Sequence, residues 1–166
     1  MADVTARLTA NRAAVDEFVR AAEAADSIWT TPRAPGKWSP QQVVEHVAMS
    51  YEESGNVIAE RPTKLPTLPV FVRPLAKLLF NRAVKTGRFP KAKTNKAMDP
   101  PSGPASSAEA RARLDGALAK FDEACRARAA TGGNVSSGAF GRVALEDYVR
   151  FTEMHTRHHA KQIPTA

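Results

Sequence analysis

Apolar residues recur at helical spacing through four stretches of roughly twenty residues, and proline or glycine breaks the chain between them. From Val4 to Ala24, Leu8, Val15, Phe18, Val19 and Ala22 share one face. Pro32, Pro35 and Gly36 end that pattern. Ser39, Pro40 and Gln42 then give the second helix its start. The serine can accept from free backbone amides, proline suits the first helical position, and Gln42 completes a capping box. This helix is expected to run to about Glu60, ahead of Pro62, with Val43, Val44, Val47 and Tyr51 inward. Ser106 and Glu109 repeat the capping-box pattern before a helix carrying Leu114, Leu118, Phe121 and Cys125 on one face. After the linker Thr131–Gly141, the last helix is expected over Val143–Ile163. No segment reads as a strand. The expected fold class is all-α: an up-down four-helix bundle with sites between facing helices. A long irregular, basic, proline-rich connection joins helices 2 and 3 of the four. Within it, Pro74–Lys85 reads as a short amphipathic helix.

The histidines are placed for metal binding. His155 and His159 stand four apart in the last helix, so they share a face. Leu145, Tyr148, Val149, Thr152, Thr156 and Ile163 lie on that same stripe, which directs both imidazoles inward. His158, beside Met154 and Arg157, is expected to face solvent. His46 sits at the edge of the second helix's core face. If the two helices pack together, three nitrogens converge and leave a coordination position open, as in catalytic rather than structural sites. Spacing alone leaves the alternative of core histidines with hydrogen-bond partners, because HxxxH without a following Glu is a weak motif.

Charge narrows the partners less. The chain of 166 residues carries a net +7. Ten basic residues and no acidic one lie between Glu60 and Asp99. Lys85, Arg88, Lys91 and Lys93 in that run are candidates for attracting an anionic ligand, the alternative being a solvated loop. Only Phe71, Phe80 and Phe89 interrupt the basic run, which argues against single-stranded nucleic acid. No helix-turn-helix is evident. Cys125 is the one cysteine, so no intrachain disulfide can form. The opening MADVTARLTANR has no apolar core of signal-peptide length, and no apolar run could cross a membrane. A cytoplasmic protein is expected.

The runs GKWSPQQVVEHV (Gly36–Val47) and AFGRVALEDYVRFTEMHTRHHAKQI (Ala139–Ile163) resemble the DinB/YfiT superfamily. They are most similar to a subgroup whose final helix carries HTRHHxxQI. The resemblance implies one DinB-like domain over residues 1–166, a divalent metal, often nickel or zinc, and His46, His155 and His159 as its ligands. It also implies a homodimer as a common state. The subgroup tends to have His-Pro-x-Phe-Gly before the last helix, where this chain has Ser137–Gly141, SGAFG.

Characterised members of that superfamily include transferases that use low-molecular-weight thiols such as bacillithiol or mycothiol, and a thiol-dependent isomerase. The leading expectation is therefore a metal-dependent S-transferase for a small substrate. Ser50, Tyr51 and Thr152, within about a turn of the histidines, would line its pocket. A metal-dependent hydrolase is the alternative chemistry. A non-catalytic protein docking through the basic 61–96 segment is the alternative class. Membrane-surface attachment through Leu75, Leu78, Leu79 and Phe80 ranks last.

Overall fold

The computed structural model describes residues 2–89 and 95–164. Five helices and one hairpin follow one another: α1 (Ala2–Ala24), α2 (Pro40–Ile58), α3 (Arg73–Thr86), α4 (Ser107–Ala130), β1 (Asn134–Ser137), β2 (Gly141–Ala144) and α5 (Leu145–Ala160). The protein is mostly helical. α1 packs on α4 and α5, α2 packs on the same two, and α3 lies against α5 and the hairpin. All four long helices feed one hydrophobic cluster that includes Val15, Phe18, Val44, Tyr51, Leu114, Phe121 and Val149.

Local chemistry sets the helix ends. At α2, Ser39 Oγ accepts from the Gln42 amide while the Gln42 side chain accepts from the Ser39 amide, so the expected capping box forms. At its other end Arg128 forks onto the Ile58 carbonyl, at 2.8 and 3.0 Å, and pairs with Glu60. The second expected box does not form. Ser106 makes no side-chain cap, and Glu109 instead accepts from the Ala105 amide. α3 ends at Gly87, whose φ of 68° suits a residue without a Cβ.

Two polar ties join the helices, one half-buried and one in the core. Arg113 on α4 bonds both Glu45 and Glu52 on α2, at 2.8–3.0 Å. Asn11 on α1 accepts from the Tyr51 hydroxyl at 2.8 Å and from Thr152 at 3.2 Å, and donates to the Val149 carbonyl at 2.9 Å. A buried amide so placed joins α1, α2 and α5 with its polar atoms satisfied.

One expectation fails in the segment before α5. The linker contains an antiparallel hairpin, with Asn134 opposite Ala144 and Ser137 opposite Gly141. Val135 and Val143 face the core. Four-residue strands, half of whose residues are serine, glycine or asparagine, are too short to declare a period of two. The last helix accordingly begins at Leu145, not Val143, and ends at Ala160.

Candidate metal centre

Helix phase delivers three imidazoles to one point. His46 follows Val43 on the inner side of α2 and is 4% exposed. His155 and His159 occupy successive turns of α5, and their Nε2 atoms stand 3.0 Å apart. His46 Nε2 is 3.3 Å from His155 Nε2. One nitrogen from each ring lies within 4.8 Å of the other two.

The outer nitrogens decide which lone pairs point inward. His46 Nδ1 lies 2.8 Å from the Met98 carbonyl, which can only accept, so Nδ1 carries the proton and Nε2 is bare. His159 Nδ1 donates in the same way to Gln162 Oε1 at 3.0 Å. While all three rings are neutral, at most one of the converging nitrogens carries a hydrogen, that of His155. Such a donor-poor cluster is suited to a cation.

Geometry agrees with that chemistry. Zinc–imidazole bonds of about 2.0–2.1 Å at a tetrahedral angle place ligand nitrogens about 3.3–3.4 Å apart. Two of the observed separations, 3.0 and 3.3 Å, are near this value. The Nδ1 hydrogen bonds are of the kind by which outer partners orient metal-binding histidines in general. Burial lowers the pKa of all three rings. It is the leading cause at His159, which falls to about 3, and at His155, where the neighbouring imidazoles lower it further. At His46 the Met98 carbonyl opposes the same effect. All three are therefore neutral, as ligation requires, near pH 7.

The model of the DinB superfamily matches residues 7–163. The chain belongs to the DinB superfamily. Among curated proteins and among solved structures, nothing matches it.

In this DinB protein, aromatic rings close the histidine cluster. Trp38 lies 4.7 Å from His46 and 6.2 Å from His159, centroid to centroid, and its indole donates to Asp99. Phe89 packs 5.2 Å from both His155 and His158. His158 is half-buried rather than solvent-facing, and Met154 beside it is buried. His158 Nε2 accepts from Gln162 at 3.1 Å, so it steadies the amide that orients His159. Trp38, Phe89, the Met98 carbonyl and Gln162 were not evident as site residues from the sequence. Only Gln162 carried a signal, three residues after His159 in the helical phase.

A cavity of about 190 Å³ opens beside His155. Ser50, Ser54, Thr152, Tyr148, Phe140 and Phe151 contribute to its wall. Two of the three expected pocket residues thus reach it: Ser50, whose hydroxyl donates to the His46 carbonyl at 2.7 Å, and Thr152. Tyr51 does not line it. Tyr51 is 1% exposed, with its hydroxyl between Asn11 and Thr156. Among the described residues, no lysine, arginine or carboxylate lines the cavity. Lys85 and Arg88 are exposed at the end of α3, and Lys91 and Lys93 lie outside the described residues. A larger groove of about 780 Å³ runs between the C-terminal ends of α2 and α4, but it holds no histidine or cysteine. Of these two, the smaller cavity is the one that adjoins the histidine cluster.

Ser137–Gly141 forms the tip of the hairpin. Ser137 Oγ accepts from the Ala139 and Phe140 amides, at 3.3 and 3.2 Å. Gly138, Ala139 and Phe140 line the cavity. The SGAFG run therefore borders the cavity. Cys125 is buried in α4, and burial raises its thiol pKa well above the ordinary value, which suits a core residue.

Proposed function

We propose that this DinB-superfamily protein is a metal-dependent enzyme that transfers a low-molecular-weight thiol to a small electrophile. The observation that carries the reading is the convergence of three neutral imidazoles, two with Nδ1 committed elsewhere, at the end of a cavity. His46, His155 and His159 would hold zinc or nickel, the ions that suit an imidazole set. Such an ion, when bound, supplies a Lewis-acid position that favours the anionic, nucleophilic form of a thiol.

The chain's own residues do the rest. Met98 and Gln162 aim two of the rings. Trp38 and Phe89 exclude water from them. The wall of Phe140, Phe151 and hydroxyl side chains positions the electrophile next to His155. We read residues 1–166 as one up-down four-helix-bundle domain within the HTRHHxxQI subgroup, which places these parts between facing helices.

Metal analysis of the purified chain and its variants tests the centre. His46→Ala, His155→Ala and His159→Ala should each lose most of the bound metal, because each removes one of three protein ligands. Thiol use is tested separately. Cobalt-substituted protein titrated with glutathione, cysteine, bacillithiol and mycothiol should show a saturable change in visible absorption, absent in His159→Ala and stronger at higher pH. A loaded site whose spectrum ignores every thiol overturns thiol transfer. Ester turnover in that case would move the reading to a hydrolase.

A further inference from the structure

α3 is apolar on two opposite faces. Phe80, Ala83 and Val84 point into the protein and are buried. Phe80 packs against Phe140 at 4.8 Å and Phe151 at 5.2 Å. On the other side Leu75, Leu78 and Leu79 are 59, 63 and 51% exposed. Val70 and Phe71, just before the helix, are 73 and 85% exposed. A soluble helix ordinarily needs one apolar stripe. Here the outer stripe is contiguous, and nothing among the described residues covers it.

Cations frame that stripe. Arg82 shares the outer face with the three leucines at helical spacing, with Lys85 beside them. Arg88 follows the helix. All three are exposed, and none forms an ion pair with a described residue. No aspartate or glutamate occurs between Glu60 and Asp99. The surface is thus leucine and phenylalanine ringed by unneutralised positive charge.

We infer that α3 with Val70 and Phe71 is a docking surface for an anionic lipid bilayer. Leucines and phenylalanine enter the boundary between headgroups and acyl chains, and the arginines and lysine meet lipid phosphates. Charge selects this occupant. A second copy docked face to face would set Arg82 and Lys85 against the same cations, with no carboxylate in the segment to offset them. Nucleic acid would meet the cations but leave the leucines without stacking partners. No described helix is long and apolar enough to cross a membrane, so the attachment is to the surface. The sequence had suggested Phe80 for the lipid side. Phe80 is instead the inner anchor, and Phe71 takes the outer role. The inference is independent of the metal centre.

Co-sedimentation of the full chain with vesicles tests it. At low salt the protein should pellet with mixed phosphatidylcholine–phosphatidylglycerol vesicles and stay in solution with phosphatidylcholine alone, and added salt should release it. The variant Leu75→Ser/Leu78→Ser/Leu79→Ser should bind about tenfold more weakly or worse. Arg82→Gln/Lys85→Gln, which touches no apolar contact, should lose about tenfold on the anionic vesicles. Circular dichroism should be unchanged in both, since the inner face is kept. Three results would overturn the inference. One is no binding to anionic vesicles at low salt. Another is full binding by the leucine variant. The third is a lipid-free dimer, seen by sedimentation velocity, that the leucine variant dissociates, because a second copy then covers the face.

Discussion

His46 donates through Nδ1 to the carbonyl of Met98, 2.8 Å away and fifty-two residues later in the chain. The imidazole of α2 is thus aimed by a single 3-10 turn, Lys96–Met98, in the proline-rich connection. Asn95 fixes that turn. Its Oδ1 accepts from the Ala97 amide at 3.3 Å, and its Nδ2 donates to the Lys64 carbonyl at 2.9 Å.

Asn95→Ala should therefore weaken metal binding without removing a ligand. Loss of an outer partner commonly costs about 10–100-fold in affinity. The lower end is expected here, about tenfold, because the Met98 carbonyl remains and only its support loosens. Competition with a chromophoric chelator would measure it. Unchanged affinity would mean that the Met98 carbonyl holds its place without Asn95.

Acid should destabilise the metal-free protein through the same three rings. Their pKa values are depressed in the folded state, His159 to about 3 against an ordinary 6.5. Below 6.5 the unfolded chain binds protons that the native cluster refuses, so stability falls as pH drops from about 6.5 toward 3. The slope is about 1.4 kcal/mol per pH unit for each ring that charges only on unfolding. Urea titrations of the apo-protein across that window should show the decline, and His159→Leu should make it shallower by one ring's share. A level profile would mean that the rings are hydrated and charge in the folded state.

Tyr51 should prove structural. Tyr51→Phe removes a buried hydroxyl bonded to Asn11 and Thr156, yet Asn11 still accepts from Thr152, and Thr156 still donates to the Thr152 carbonyl. The expected cost is about 1 kcal/mol of stability with metal content unchanged. Asn11→Ala, which strands several partners at once, should cost about 3 kcal/mol. Chemical denaturation compares the two. A Tyr51→Phe variant that folds normally but loses metal or turnover would return Tyr51 to the site.

Gly138 lines the cavity at the tip of the hairpin. A Cβ there would stand 2.6 Å from Thr67 Oγ1 and 3.2 Å from Thr67 Cα, so the loop carrying Thr67 must shift. Both residues line the cavity. Gly138→Ala should reduce turnover of a small electrophile severalfold and cost about 1–3 kcal/mol of stability, with metal content kept. Equal loss of metal and turnover would show that the hairpin tip supports the histidines directly.

Local rules carried much of this protein. Side-chain phase at 3.6 residues per turn put His155 and His159 on one inner face, and Ser39, Pro40 and Gln42 marked the start of the helix bearing His46. These depend on neighbours a few residues apart, which is why the inward phase of the two α5 histidines and the start of α2 were legible from sequence. What needed the tertiary structure is carried by contacts between distant segments. The Met98 carbonyl, the Trp38 and Phe89 rings and the hairpin wall of the cavity reach the site by the path of irregular chain. Backbone acceptors and turn geometry leave no periodic trace in composition. The two-faced character of α3 was hidden for a related reason. Leu75, Leu78, Leu79 and Phe80 read alike as apolar residues, and only packing against α5 and the hairpin decided that Phe80 turns inward while the leucines face out.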